Sequence, residues 1–96
     1  MPKGYWIGHV DVENADRYPD YMKAGQPAYE KYGAKFIVRG GKFDPVEGKA
    51  RGRHVVVEFD SYETALACYN SPEYQAAAKI RRAHSIGDIV IVEGAA

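Results

Sequence analysis

Two histidines, an arginine and a carboxylate fall where alternating strands would gather them on one sheet face. His9 lies in GYWIGHVDV (Gly4–Val12), Arg39 closes AKFIVR (Ala34–Arg39), and His54 and Glu58 lie in RHVVVEF (Arg53–Phe59). An imidazole titrates near neutrality, which makes His9 the candidate catalytic proton carrier, with His54 beside it. A guanidinium grips a carboxylate or phosphate through two parallel hydrogen bonds, so Arg39 is the candidate anion partner. Tyr74 and Arg81, seven residues apart on a helix-forming stretch, would reach the rim of the same pocket. His54, Glu58, Arg39, Tyr74 and Arg81 are thus the expected substrate-binding set. A cavity of this composition suits a small acidic or phenolic molecule.

Plainer roles stand beside these. Glu58 and Arg39 can form a cross-strand or intersubunit ion pair. Arg81 and Arg82 near a helix C-terminus complement the helix dipole. His54 beside a loop can be solvated. The tyrosines of the first helix can be core and interface packing. His9, His54 and Glu58 are the one plausible metal trio, and their spacing matches no ligand motif. No glycine-rich phosphate loop opens a helix and no nucleophile elbow is present, so neither metal nor cofactor is expected.

The elements that must position these residues follow from periodicity. Trp6, Gly8, Val10 and Val12 share one face of the first strand; Tyr5, Ile7, His9 and Asp11 share the other. Asn14 to Tyr32 reads as a helix starting near Asn14 or Asp16. Pro19 fits its first turn, Pro27 should kink or break it near Ala24–Gln26, and Gly33 ends it. In Ala34–Arg39, alternation sets Phe36 and Val38 on one face and Lys35, Ile37 and Arg39 on the other. Gly40 and Gly41 then end the strand or make a bulge. Residues 42–52 read as a polar, solvated excursion. In the third strand Val55, Val57 and Phe59 oppose His54, Val56 and Glu58. Asp60 with Glu63 fits a capping box for the next helix, with Ser61 the alternative cap. Ser71-Pro72 breaks that helix and starts another, near Pro72 to His84. GDIVIVE (Gly87–Glu93) is the last strand, apolar on both faces.

The order βαββαβ, with right-handed crossovers, predicts an α+β ferredoxin-like fold: a four-stranded antiparallel sheet with its helices on one face. The open face then carries too much apolar surface to remain in water, and a second copy is expected to cover it, closing a dimeric α/β barrel around a cavity.

At 96 residues the chain has room for one domain, expected over 1–96. Thirteen basic and thirteen acidic side chains cancel, against a large nucleic-acid footprint or a polybasic membrane patch. The third strand also lacks the stacked aromatics of RNA-recognition domains, whose element order is the same. No apolar run is long enough to span a membrane or serve as a signal peptide, and the expected location is cytoplasmic. The single Cys68 excludes an internal disulfide and reads as a small buried hydrophobe.

GYWIGHVDV, KYGAKFIVRGG and RHVVVEFDSYETALACYNSPEYQAAAKIRR together resemble the DUF1330 family over nearly the whole chain. The resemblance implies the dimeric α/β-barrel fold, shared by cofactor-free monooxygenases, muconolactone isomerases and small stress-related proteins. It carries no reaction and no catalytic motif. Two functions remain: a small-molecule binder or cofactor-free enzyme acting in the barrel cavity, and a non-catalytic dimer with a structural or partner-docking role.

Overall fold

Apolar side chains on alternate positions of each strand turn toward the helices, and around them the chain closes one sheet. The computed structural model describes residues 2–96. Its elements are β1 (Gly4–Val12), α1 (Tyr18–Tyr32), β2 (Lys35–Arg39), β3 (Arg53–Phe59), α2 (Tyr62–Asn70), α3 (Pro72–His84) and β4 (Ser85–Glu93). The sheet order is β2-β3-β1-β4 and every pairing is antiparallel. This is the ferredoxin-like arrangement expected from the element order, with the second helical segment divided at Ser71-Pro72 as expected.

Trp6 is the centre of the core. Its ring lies 4.6 Å from Tyr74, 5.1 Å from Phe59 and 5.8 Å from Tyr69, centroid to centroid. Its indole N–H donates to the Ala65 carbonyl at 2.9 Å, so the one polar atom of the ring is satisfied where it is buried. Val57, Phe59, Ala65, Cys68, Ala77 and Ala78 complete the same cluster. The alanines of α3 let it lie close to α1 and the sheet. Cys68 is buried as expected; burial, and then Glu73, push its thiol up to about 12, so it is an unreactive packing residue at neutral pH.

Local signals resolve with some corrections. Helix α1 begins at Tyr18, not at Asn14 or Asp16; Pro19 sits in its first turn, as expected. The helix runs unbroken through Pro27. What Gly25 supplies is room for a ring: a Cβ there would stand 2.7 Å from the Tyr29 hydroxyl, which folds back over it. Gly33 ends α1 in the left-handed conformation at φ 67°, where a glycine avoids the Cβ clash. Ser61, not Asp60, caps α2 by accepting from the Thr64 amide at 3.1 Å. Ser71 caps α3, accepting from the Tyr74 amide at 3.2 Å and donating to the Cys68 carbonyl at 2.7 Å. Strand β4 starts two residues before Gly87, because α3 runs straight into it; the Ser85 hydroxyl closes the helix on the Arg81 carbonyl at 2.6 Å.

One irregularity decides the site. The β2–β3 register pairs Phe36 with Val57, Val38 with Val56 and Arg39 with Val55, so Ile37 is an extra residue in a bulge. After it, every side chain of β2 changes face. Val38 therefore stands on the open face and Arg39 on the helix side, the reverse of the alternation read from sequence.

Candidate functional site: an arginine-lined pocket between sheet and helices

The expected site residues divide between the two sides of the sheet. His9, His54 and Glu58 lie on the open face. His9 and His54 are register partners, and their Nδ1 atoms approach to 2.7 Å. That hydrogen bond needs one ring to donate and the other to accept. The pair borders a hollow with Asp11, Lys49, Arg51 and Asp88, in which Arg51 holds Asp11 at 2.8 Å and Asp88 at 3.0 Å. Phe43, from the excursion between β2 and β3, packs 4.5 Å from the His54 ring. Glu58 does not join them. It lies four residues farther along β3, about 13 Å away, and accepts from the Tyr5 hydroxyl at 3.2 Å. The trio His9, His54 and Glu58 therefore does not assemble, and no metal-holding group of three exists among the described residues.

Arg39 is the main correction. It was expected beside the histidines, but the bulge at Ile37 turns it to the helix side, at the mouth of a second pocket. Tyr74 and Arg81, expected at a rim, line the interior of that pocket instead. Its floor is the helix face of the sheet: Trp6, Gly8 and Val10 from β1, Val55 and Val57 from β3, Ile89 from β4. Its roof is Tyr18, Tyr21, Met22 and Tyr29 from α1 with Tyr74 and Arg81 from α3; Phe36, Arg39 and Arg53 complete the wall.

Three guanidiniums and no carboxylate line this space. Arg81 is 6% exposed. Its guanidinium lies beside the Tyr74 hydroxyl and 6.0 Å from the centre of the Tyr21 ring, and its Nε has no partner. Arg53 lies 5.6 Å from the centre of the Tyr18 ring, and its buried Nε is also unpartnered. The Gly40 turn makes room for the Arg53 guanidinium; a Cβ at Gly40 would meet it. Arg39, at the mouth, stacks 4.3 Å from the Phe36 ring. None of the three forms an ion pair among the described residues. Arginine does not lose its proton in proteins, so the pocket carries uncompensated positive charge.

The tyrosines are donors rather than bases. Tyr21 and Tyr74 share a hydrogen bond of 2.8 Å, and the Tyr29 hydroxyl donates to Tyr21 at 3.3 Å. Burial above all pushes all three phenols well above their ordinary value, so they stay protonated at neutral pH.

Sequence reading missed Arg53, Gly8 and the α1 tyrosines Tyr18, Tyr21 and Tyr29 as pocket residues. A signal for Arg53 was present: it shares the parity of Val55, Val57 and Phe59, which sets a cation on an otherwise apolar face.

The fold places the protein among ferredoxin-like α+β proteins. The chain belongs to the family described as "Domain of unknown function (DUF1330)", whose model matches residues 3–95. No protein with a curated description matches it. Among solved structures it is similar to RPA0582 of Rhodopseudomonas palustris, a protein of unknown function, at 16% identity and TM-score 0.79, covering 99% of this chain and 84% of that one. A dimeric ferredoxin-like protein of unknown function from Jannaschia sp. CCS1 is 18% identical with TM-score 0.72, covering 95% of this chain and 98% of that one. SnoaB, a cofactor-independent oxygenase from Streptomyces nogalater, is 9% identical with TM-score 0.66, covering 100% of this chain and 96% of that one. At these identities the likeness is one of fold.

Proposed function

We propose that the protein binds a small acid in the pocket between its sheet and helices, and does so as a homodimer joined through the open sheet face. One observation carries the ligand: the Arg81 cation is buried, faces a pocket with Arg53 and Arg39, and has no counter-ion. An unpaired buried charge is costly, and an anionic ligand supplies the missing partner. The phenolic class considered from sequence fits less well, because the tyrosine hydroxyls already satisfy one another.

The dimer rests on the other face. Val38, Val90 and Val92 are each 41–56% exposed there, in one band with Ile7 and Val56; Ile86 lies apart, beyond Asp88. A continuous apolar surface of this kind marks an interface, and the ferredoxin-like neighbour from Jannaschia is dimeric. The location proposed remains the cytoplasm.

Binding is favoured over catalysis. His9 lies across the sheet from the arginines, so the proton transfer expected of it does not act on a molecule held there, and the pocket tyrosines are too firmly protonated to serve as bases.

Thermal melts and calorimetry with a panel of small carboxylic acids test the ligand. Acids should raise the melting temperature of the wild type and leave Arg81→Gln and Arg53→Gln unmoved, with all three eluting as dimers. A wild type that no acid stabilises defeats the binding reading. Val90→Asp should yield a monomer by analytical ultracentrifugation; if it stays dimeric, the interface lies elsewhere.

A further inference from the structure

The charge of the pocket points to an acid, and the sheet beneath it limits the size of that acid. Gly8 is buried at the middle of β1, paired with Val55 on one side and Ile89 on the other. A glycine inside a strand weakens it and marks a close approach or a gap. Here the backbone does not require it: φ is not positive. Nor does crowding, because a Cβ would sit 3.7 Å from Ile89 Cγ1 and 4.0 Å from the Val55 carbonyl oxygen, which are ordinary contacts. What the missing side chain leaves is room, and Gly8 lines the pocket.

That room is small. The cavity measures about 40 Å³. A cavity that holds a benzene ring is on the order of 150 Å³. The closed part of the pocket is therefore narrower than an aromatic ring needs and suits a short aliphatic group. Cations lie on the wall and roof, while Gly8, Val10, Val55 and Ile89 form an apolar floor.

Resting on the binding reading above, we infer that the ligand held inside is a short-chain monocarboxylate, and that Gly8 sets its length. The carboxylate faces Arg53 and Arg81, and the carbon tail lies over the Gly8 backbone. A side chain at position 8 would occupy the volume of the tail without touching the arginines.

The test measures affinities of formate, acetate, propionate, butyrate, benzoate and inorganic phosphate for the wild type, Gly8→Ala and Gly8→Val. For the wild type, affinity should rise from formate to propionate and be lost at benzoate. Gly8→Ala should weaken propionate about tenfold while leaving formate within about twofold, because the added methyl takes space that only the longer tail fills. Gly8→Val should lose every acid longer than formate. The unliganded Gly8→Ala protein should melt no lower than the wild type, since alanine restores strand propensity. Benzoate binding as tightly as propionate, phosphate binding as tightly as the acids, or an unchanged chain-length profile in Gly8→Ala would each overturn the assignment while the broader acid reading stands. Loss of all six ligands from the wild type would sink both.

Discussion

The Tyr21 and Tyr74 hydroxyls meet at 2.8 Å and tie α1 to α3 above the pocket. Burial holds both phenols, and Tyr29 with them, protonated far above the ordinary tyrosine value of 10.0. A group whose folded pKa is raised keeps its proton in the native state after the unfolded chain has released it. Its stabilising effect is complete below the unfolded value and declines as pH rises beyond it. The unfolding free energy in urea should therefore fall above pH ~10, by up to about 1.4 kcal/mol per pH unit for each buried phenol. Cys68 should begin the decline somewhat earlier, from its ordinary value of 9.0. Tyr21→Phe should cost about 1 kcal/mol at pH 7 for the lost hydrogen bond, and should flatten the alkaline slope. An alkaline slope identical to that of the wild type would mean the Tyr21 phenol is not held protonated in the fold.

Gly25→Ala offers the opposite of a propensity argument. In an exposed helix the change should stabilise by up to about 1 kcal/mol. Here the new Cβ would stand 2.7 Å from the Tyr29 hydroxyl and 2.8 Å from two ring carbons. The ring cannot simply swing aside, because its other neighbours are Trp6, Phe36 and Tyr74. Overpacking of this kind costs on the order of 1–3 kcal/mol, so the variant should unfold at lower denaturant. A raised midpoint would show that the ring is free to move.

How far the sequence could be read depended on whether a local rule was allowed to run. Trp6, Val57 and Phe59 were legible as core because alternation holds without interruption along β1 and β3. Ser71-Pro72 was legible because a cap followed by proline has few other uses. Arg39 was not, because one bulged residue, Ile37, inverts everything after it, and the glycines that signalled a bulge lie three residues later. The pocket was hidden for a second reason. Its roof comes from α1 and α3, and the packing that brings Tyr21 to Tyr74 across 53 residues has no trace in either helix's own periodicity.

The helix caps separate two residues that sequence alone left as alternatives. Asp60 is 95% exposed at its side chain and forms a long ion pair with Lys3, at 3.7 Å. Asp60→Ala should leave the unfolding midpoint where it is, as exposed ion pairs do. Ser61→Ala should lower stability by about 1 kcal/mol. Ser71→Ala should cost more, about 2 kcal/mol, because its buried hydroxyl both caps α3 and satisfies the last turn of α2. If Asp60→Ala proves the costlier of the first pair, the cap assignment is wrong.

Arg81 sets stability against binding. Its guanidinium is buried without a carboxylate, beside the Tyr74 hydroxyl and the Tyr21 ring. A structural arginine would be expected to weaken the fold when removed. One retained for a ligand should do the reverse in the unliganded protein, because an uncompensated buried charge is replaced by a shorter apolar side chain that needs no partner. Arg81→Met should therefore raise unliganded stability by about 1–3 kcal/mol and the melting temperature by several degrees. Acids that stabilise the wild type should no longer shift it. Calorimetric melts with and without acid distinguish the cases. If Arg81→Met melts lower and still responds to acid, Arg81 holds the helices together and the anion is bound by Arg39 and Arg53 alone.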